Sequence, residues 1–274
     1  MEINNSLTIN NSDGVEIIHD GGILMDDGAT AVGRRHGEAR QKPIAVLLFL
    51  ITKLVNGCSN LGQMFYARKL FDEFPDPDLF MWNAIIRSYS RNKMYMDVIE
   101  MYRWMKWVGL HPDKFTFPCV LKACSELLDF GLSCLVHAHI AVYGFGSHLF
   151  VQNGLVALYA KCGCIGMARM VFDRLYDRTI VSWTAIISGY AQNGEALEAL
   201  RLFNQVRNTD VKPDWISLVS VMRAYTDLDD LEQGKCLHGC VIKTGLEDEP
   251  DLLISLTAFY SKCGLLVHKL VPSN

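Results

Sequence analysis

The chain has 274 residues, of which half are hydrophobic and a fifth are charged, so it is long enough to bury a large core. Its formal net charge is −4, and residues 43–274 carry 22 Lys and Arg against 23 Asp and Glu, which excludes a protein that holds polyanions by bulk charge alone. The longest uninterrupted apolar run, residues 44–51, is far shorter than the roughly 20 residues that a membrane-spanning helix needs, so no membrane association is predicted.

Residues 1–47 differ in composition from the rest of the chain. The first 30 residues contain six acidic residues and no Lys or Arg, and clustered Asn and Gly residues interrupt any apolar periodicity. Such a segment cannot bury enough apolar surface to offset the entropy of ordering, so we predict a disordered tail over 1–47. The same composition is unlike an organelle transit peptide, which is Arg-rich and poor in acidic residues.

An internal repeat organises everything that follows this tail. Units of 31, 35 and 35 residues recur in that order, so the sequence repeats itself every 101 residues. Trp82 and Trp183, Tyr89 and Tyr190, and the two Pro-Asp pairs that begin at Pro112 and Pro213 are one period apart. The predicted units are 48–78, 79–113, 114–148, 149–179, 180–214, 215–249 and a partial unit 250–264, followed by a non-repeat tail 265–274.

Each unit has the pattern of two amphipathic helices joined by a tight turn. In the unit 180–214, apolar residues follow a helical period in two runs, and Asn193-Gly194 lies between them, where Gly reaches positive φ without steric cost. The predicted core residues of this unit are Trp183, Ile186, Ile187 and Tyr190 in the first run and Ala196, Ala199, Leu200 and Phe203 in the second. A single hairpin cannot bury its own apolar stripe, so the sequence predicts an all-α solenoid of stacked hairpins.

The cysteines and histidines have two interpretations. Nine cysteines, an odd number with no Cys-x-x-Cys among them, are typical of reduced buried thiols in an intracellular protein. His137 with His139, and His238 between Cys236 and Cys240, have the residue types of a zinc site but not its usual spacing. Because His137 and His238 are one period apart, we favour packing roles and predict neither a metal nor another cofactor.

The units resemble plant pentatricopeptide repeats of the P-L-S class, with 79–113 and 180–214 as P, 114–148 and 215–249 as L, and 48–78, 149–179 and 250–264 as S. The resemblance covers residues 48–264 and implies a right-handed α-solenoid. The set is similar to the N-terminal repeats of mitochondrial RNA-editing factors of the DYW subgroup, truncated before their C-terminal domains. The motifs that carry the resemblance are Ser182-Trp183-Thr184-Ala185-Ile186-Ile187-Ser188-Gly189-Tyr190, Val211-Lys212-Pro213-Asp214, Tyr159-Ala160-Lys161-Cys162-Gly163 and Leu121-Lys122-Ala123-Cys124.

This resemblance implies sequence-specific binding of single-stranded RNA, about one base per repeat. In the family, the fifth and last residues of a repeat face the base edge, and the second residue stacks on the base. The implied base-reading pairs are Thr52 with Asp78, Asn83 with Asp113, Asn153 with Thr179, and Thr184 with Asp214. The implied stacking residues are Phe49, Phe80, Phe115, Phe150, Val181 and Ile216, and Asp251 breaks this row.

The chemistry of the pairs gives a predicted footprint. An ionised Asp only accepts hydrogen bonds, so it favours uracil or guanine, which carry a ring N–H on the pairing edge. The family code assigns Thr with Asp to G and Asn with Asp to U, and Asn153 with Thr179 suggests a pyrimidine (Y). The L units, with Pro118 and His148 in the first, fit no pairing, so the expected footprint is 5′-G-U-x-Y-G-3′.

Two purely structural roles remain open for the same residues. Asp113 and Asp214 each follow a Pro and could simply cap the next helix, which would stabilise the fold without RNA. Phe80 and its counterparts could equally fill the junctions between units as ordinary apolar core. Sequence alone leaves both roles in place beside the base-reading and stacking roles.

The functional prediction is a non-enzymatic, RNA-binding solenoid that recognises organellar C-to-U editing sites and acts with a deaminase-bearing partner in trans. The expected location is the mitochondrion, with the chloroplast as the alternative. The rival hypotheses are a helical-repeat scaffold that binds protein partners, and a non-functional truncated gene product. A groove lined by Lys, Arg and the polar pairs would favour RNA, whereas an acidic or apolar groove would favour a peptide.

Overall fold

The computed structural model describes residues 33–265, with side chains from residue 46 onward. The chain divides into two units, residues 1–45 and 46–274, and the helix packing and side-chain contacts are those of the second unit. The described residues form helices and connecting turns, and no strand occurs among them. The helices are α1 (Gly33–Asn60), α2 (Met64–Asp72), α3 (Leu79–Arg91), α4 (Tyr95–Trp107), α5 (Thr116–Leu127), α6 (Phe130–Val142), α7 (Leu149–Lys161), α8 (Ile165–Asp173), α9 (Ile180–Gln192), α10 (Ala196–Arg207), α11 (Trp215–Asp227), α12 (Leu231–Thr244) and α13 (Pro250–Lys262).

The first helix begins within the predicted tail. The tail was predicted to extend to residue 47, and the α1 backbone is helical from Gly33. The residues Glu38-Ala39-Arg40-Gln41-Lys42 all have high helix propensity, which outweighs the acidic and Gly-rich character of the preceding sequence. The rest of the predicted tail, residues 1–32, and the C-terminal segment 266–274 lie outside the described residues.

The helices pack as a one-dimensional stack, as the repeat predicts. The first helix of each unit contacts the first helix of the next, in the order α3, α5, α7, α9, α11, α13. Each of these first helices from α3 to α11 also packs against the second helix of its own unit. The molecule is therefore an all-α repeat solenoid, in which the first helices form one continuous row. None of the helices within residues 33–265 is long and apolar enough to span a bilayer.

Aromatic contacts join successive units at positions one period apart. Phe71 of α2 meets Trp82 of α3 edge-on, with 4.7 Å between ring centroids. Phe172 and Trp183 repeat the contact at 4.9 Å. Both Trp residues are buried, so the predicted core of the unit 180–214 is confirmed at this position. At these two junctions the T-shaped pairs stabilise the packing of one hairpin on the preceding one through dispersion and quadrupole complementarity.

The tight turn also carries a contact between units. Asn193 Nδ2 donates to the backbone oxygens of Gly189 in its own helix (2.7 Å) and Ala160 in the preceding unit (2.9 Å). One period earlier, Asn92 Nδ2 donates in the same way to Ser59 O at 3.1 Å. Gly194 follows with φ of 80°, as predicted. Its counterpart Lys93 adopts the same left-handed conformation, φ 59°, although it carries a side chain.

The histidines have packing roles, as favoured from the repeat. A ring nitrogen of His137 lies 2.7 Å from the Tyr159 hydroxyl, and His238 and Tyr260 repeat the contact at 2.8 Å. No group of three metal-ligating side chains occurs among the described residues. All nine cysteines are unpaired thiols.

Candidate nucleic-acid interface

Three of the four fifth-position residues lie on the row of first helices, one on each of α3, α7 and α9, and the fourth, Thr52, lies on α1. They are largely buried: Thr52, Asn83, Asn153 and Thr184 have relative exposures of 1, 6, 7 and 9%. A buried polar side chain is costly unless it is hydrogen-bonded, so the partners of these residues determine what each can offer to a ligand.

Thr184 and Asp214 form a hydrogen-bonded pair. The Thr184 hydroxyl donates to Asp214 Oδ1 at 2.9 Å, across the length of the unit. The same Oδ1 accepts the backbone N–H of Ser217 at 2.9 Å and so caps α11. Asp214 Oδ2 has no hydrogen-bond partner among the described residues. The capping role and the base-reading role are therefore compatible, because they use different oxygens of one carboxylate.

Asn83 and Asp113 form a second pair, and a third residue joins it. Asn83 Nδ2 donates to Asp113 Oδ1 at 3.1 Å, and that oxygen also accepts the backbone N–H groups of Phe115 and Thr116 at 2.9 and 3.0 Å. The Thr116 hydroxyl lies 2.6 Å from Asn83 Oδ1. It accepts the Asp113 backbone N–H at 3.1 Å, which completes a reciprocal capping interaction at the start of α5.

The other two predicted pairs are joined weakly or not at all. Asn153 Nδ2 is 3.5 Å from Thr179 Oγ1, at the limit of a hydrogen bond, and Asn153 Oδ1 is buried without a partner. Thr52 donates instead to the carbonyl of Leu48 at 2.8 Å. Asp78 is exposed and caps α3 through the backbone N–H of Met81. Thr52 and Asp78, the first predicted base-reading pair, are thus not hydrogen-bonded to each other.

The six predicted stacking residues are all exposed, between 42% for Ile216 and 69% for Phe150. Packing in the unit junctions, the alternative left open by the sequence, is therefore wrong for these side chains. Phe115, Phe150 and Val181 border an open groove of about 630 Å³ that also contains Asn153 and His148. Val181 and Ile216 border a neighbouring groove of about 390 Å³ that contains Thr184 and Asp214. The two grooves share Val181, so they are consecutive along the row.

Cationic side chains accompany these apolar ones. Arg87 and Lys114 line the larger groove, and the Lys114 ammonium lies over the Phe115 ring, 5.3 Å from its centroid. Burial raises the pKa of the Cys119 thiol, and the positive charges of Arg87, Lys122 and Arg91 oppose that rise. In the described part of the chain, none of these four cations is salt-bridged; by contrast, Lys161 in the next groove pairs with Glu126 at 2.5 Å. The groove therefore combines two cations with aromatic and other apolar side chains, and the pairing of cations with aromatic rings suits a nucleic acid.

Thr116 is the site residue that sequence reasoning missed. Its signal was present as Asp113-Lys114-Phe115-Thr116, the spacing of a capping box. The equivalent unit boundaries carry Ser182 and Ser217, whose hydroxyls donate instead to backbone oxygens of Thr179 and Asp214, at 2.8 and 2.7 Å. Only the folded structure distinguishes these two arrangements.

Comparison with known proteins agrees with this architecture. The PPR repeat family matches residues 77–126 and 178–227, two segments one period apart, and a PPR repeat matches residues 52–76. The chain is built from pentatricopeptide repeats. Among solved structures, the pentatricopeptide repeat protein PPR10 from maize shares this fold, with a TM-score of 0.58 and 21% identity over 79% of this chain and 33% of that one.

Several Arabidopsis thaliana relatives are similar to this PPR array. Pentatricopeptide repeat-containing protein At3g12770 is 56% identical over 218 residues, which are 79% of this chain and 31% of that protein. The chloroplastic protein CRR2 is 39% identical over 80% of this chain and 34% of its own length. The mitochondrial protein At2g03380 is 37% identical over 78% of this chain and 31% of its own length. The chain thus spans about a third of the length of these relatives.

Proposed function

We propose that the PPR array binds single-stranded RNA and reads individual bases along its row of first helices. The observation that carries the proposal is the alternation along the two grooves, where exposed apolar side chains flank Asn153 in one groove and the pair of Thr184 and Asp214 in the other. Val181 and Ile216 flank Thr184 and Asp214, so a flat base of matching size fits between the two apolar side chains with its edge toward the pair. Stacking on such side chains contributes about 1–3 kcal/mol per base and is tolerant of sequence.

The hydrogen bonds within each pair support the proposed base preferences. Oδ1 of Asp113 and of Asp214 is fully used inside the protein, which leaves Oδ2 to accept a ring N–H of uracil or guanine. Asn83 offers in addition one N–H of its amide, which complements the O4 acceptor of uracil. The Thr184 hydroxyl donates to Asp214 and retains its lone pairs, which suit the exocyclic amino group of guanine.

The proposed footprint is 5′-G-U-x-Y-G-3′, with Asn83 and Asp113 at the U and Thr184 and Asp214 at the final G. The first G rests on Thr52 and Asp78, which are not joined in the protein, so we expect it to be the weakest position. The family resemblance further supports a role in recognising an organellar C-to-U editing site for a deaminase-bearing partner in trans. Relatives from both organelles support a location in the mitochondrion or the chloroplast.

The decisive test is fluorescence anisotropy with labelled RNA that carries G-U-x-Y-G, measured against RNAs in which one matched base at a time is changed. Binding of the matched RNA with a loss of several-fold on changing U to C or the final G to A would support base reading. Equal affinity for all the RNAs would leave only non-specific binding and overturn the proposal. A peptide scaffold predicts no RNA affinity even at low ionic strength, where phosphate contacts are strongest.

A further inference from the structure

From the hydrogen bonds around Asn83 we infer that Thr116, the third residue of the following repeat, positions the Asn83 amide. Through that amide, Thr116 makes the second footprint position prefer uracil to cytosine. The inference rests on the proposed function. It assigns a role in base discrimination to a side chain that is fully buried and does not itself reach the groove.

Only one orientation of the Asn83 amide satisfies its neighbours. Asp113 Oδ1 is an acceptor 3.1 Å from one end of the amide, so that end must be the NH₂ group. The other end lies 2.6 Å from the Thr116 hydroxyl. That hydroxyl also lies 3.0 Å from Asp113 Oδ1, and the amide oxygen is the nearer of the two acceptors for its single proton. Rotating the amide by 180° would place its oxygen against Asp113 Oδ1, two acceptors in contact at low local dielectric. Asp113 and Thr116 therefore hold the amide at both ends.

The fixed orientation has a direct chemical consequence for the base. One N–H of Asn83 is used by Asp113, and the second has no partner among the described residues, so the amide presents a donor beside the free acceptor Asp113 Oδ2. Uracil presents O4 as an acceptor and N3–H as a donor, which matches this pattern. Cytosine presents an N4 amino donor and a bare N3 acceptor, which opposes it at both positions.

A second Asn in the same chain lacks this arrangement. Asn153 occupies the fifth position of 149–179, where the last residue is Thr179 and the residue equivalent to Thr116 is Ser182. Ser182 donates to the Thr179 carbonyl, the Asn153 amide oxygen is buried without a partner, and its NH₂ lies 3.5 Å from Thr179 Oγ1. The chain thus contains one Asn held at both ends and one that is not, and only the first is expected to distinguish the two pyrimidines.

The test compares the affinity for RNA with U and with C at the second position, by anisotropy, for the wild type and Thr116→Val, which keeps the shape of Thr116 and removes its hydroxyl. We expect the U-to-C affinity ratio to fall about three- to tenfold, the size of one net hydrogen bond, with the preference for G at the fifth position unchanged. Ser217→Ala is the matched control, because its hydroxyl bonds only to the Asp214 carbonyl and its loss should change neither preference.

A gain-of-function variant guards against a misfolded Thr116→Val protein. Thr179→Asp with Ser182→Thr rebuilds the double hold around Asn153, and it should favour U over C at the fourth position more strongly than Thr179→Asp alone. A wild type without preference for U would overturn base reading and this inference together. A wild type that prefers U, with Thr116→Val at an undiminished ratio or with no added effect of Ser182→Thr, would overturn the role of Thr116 alone.

Discussion

Replacing Phe150 with Ala should weaken RNA binding without weakening the fold. The side chain is 69% exposed, so its truncation leaves little cavity and should change the free energy of unfolding by less than about 0.5 kcal/mol. Phe150 lies in the larger groove between Phe115 and Val181, where it can contact the bases on both of its sides. The loss should therefore fall in the upper part of the range for one stacking platform, about 2–3 kcal/mol, or roughly 30- to 150-fold in Kd.

The assay is fluorescence anisotropy with the G-U-x-Y-G RNA at low ionic strength, combined with thermal unfolding of each variant. Phe65→Ala is the matched control, because Phe65 is 75% exposed but lies on α2, outside the row of first helices. An equal loss of affinity in both variants would show that exposed aromatic residues act non-specifically. Unchanged binding by Phe150→Ala would refute the stacking role of the second-position row.

Three further predictions concern the fold. Lys93→Gly should stabilise the protein by about 1 kcal/mol, because Lys93 has the left-handed conformation that Gly194 adopts one period later. Gly194→Lys should destabilise it by a similar amount, as measured by chemical denaturation. Equal stability of the wild type and the two variants would contradict this reasoning. Gly234→Ser should destabilise the protein by about 1–3 kcal/mol, because an added Cβ would lie 2.0 Å from the Phe259 ring. The residues one period earlier are Ser133 and Leu158, so adding Phe259→Leu should recover part of the lost stability in a double-mutant cycle. Strictly additive effects of the two substitutions would contradict this compensation. Burial lowers the pKa values of His137 and His139, and the nearby charges of Arg174 and Lys106, respectively, lower them further. The stability that the two neutral rings contribute is therefore complete above their ordinary pKa near 6.5 and is lost as the pH falls below it. Thermal unfolding between about pH 8 and 5 should show this loss, and the loss should be smaller in His137→Gln; an unchanged pH dependence would exclude a contribution from His137.

The repeat, the helical hairpins and much of the core can be predicted from the order of the residues. A period of 101 residues is a statement about chain order, and a hairpin that cannot bury its own stripe must stack on its neighbours whatever the local details. Trp183, Ile187 and Tyr190 were assigned to the core by their helical spacing, and all three are buried. The turn at Gly194 followed in the same way, because its conformation depends on local sterics.

Which side chains contact one another depends on how the units stack. Thr184 and Asp214 are 30 residues apart, and whether they form a hydrogen bond depends on the stacking of α9 on α11. Thr52 and Asp78 have the same residue types, yet Thr52 bonds to a carbonyl inside α1 and Asp78 to a backbone N–H in the first turn of α3. The groove that Phe150 borders is lined by residues of α3, α5, α7 and α9, so it exists only once these helices have packed. Local periodicity fixes helices because their hydrogen bonds join near neighbours, whereas a reading site is built from contacts between units, and their distances are set only when the units stack.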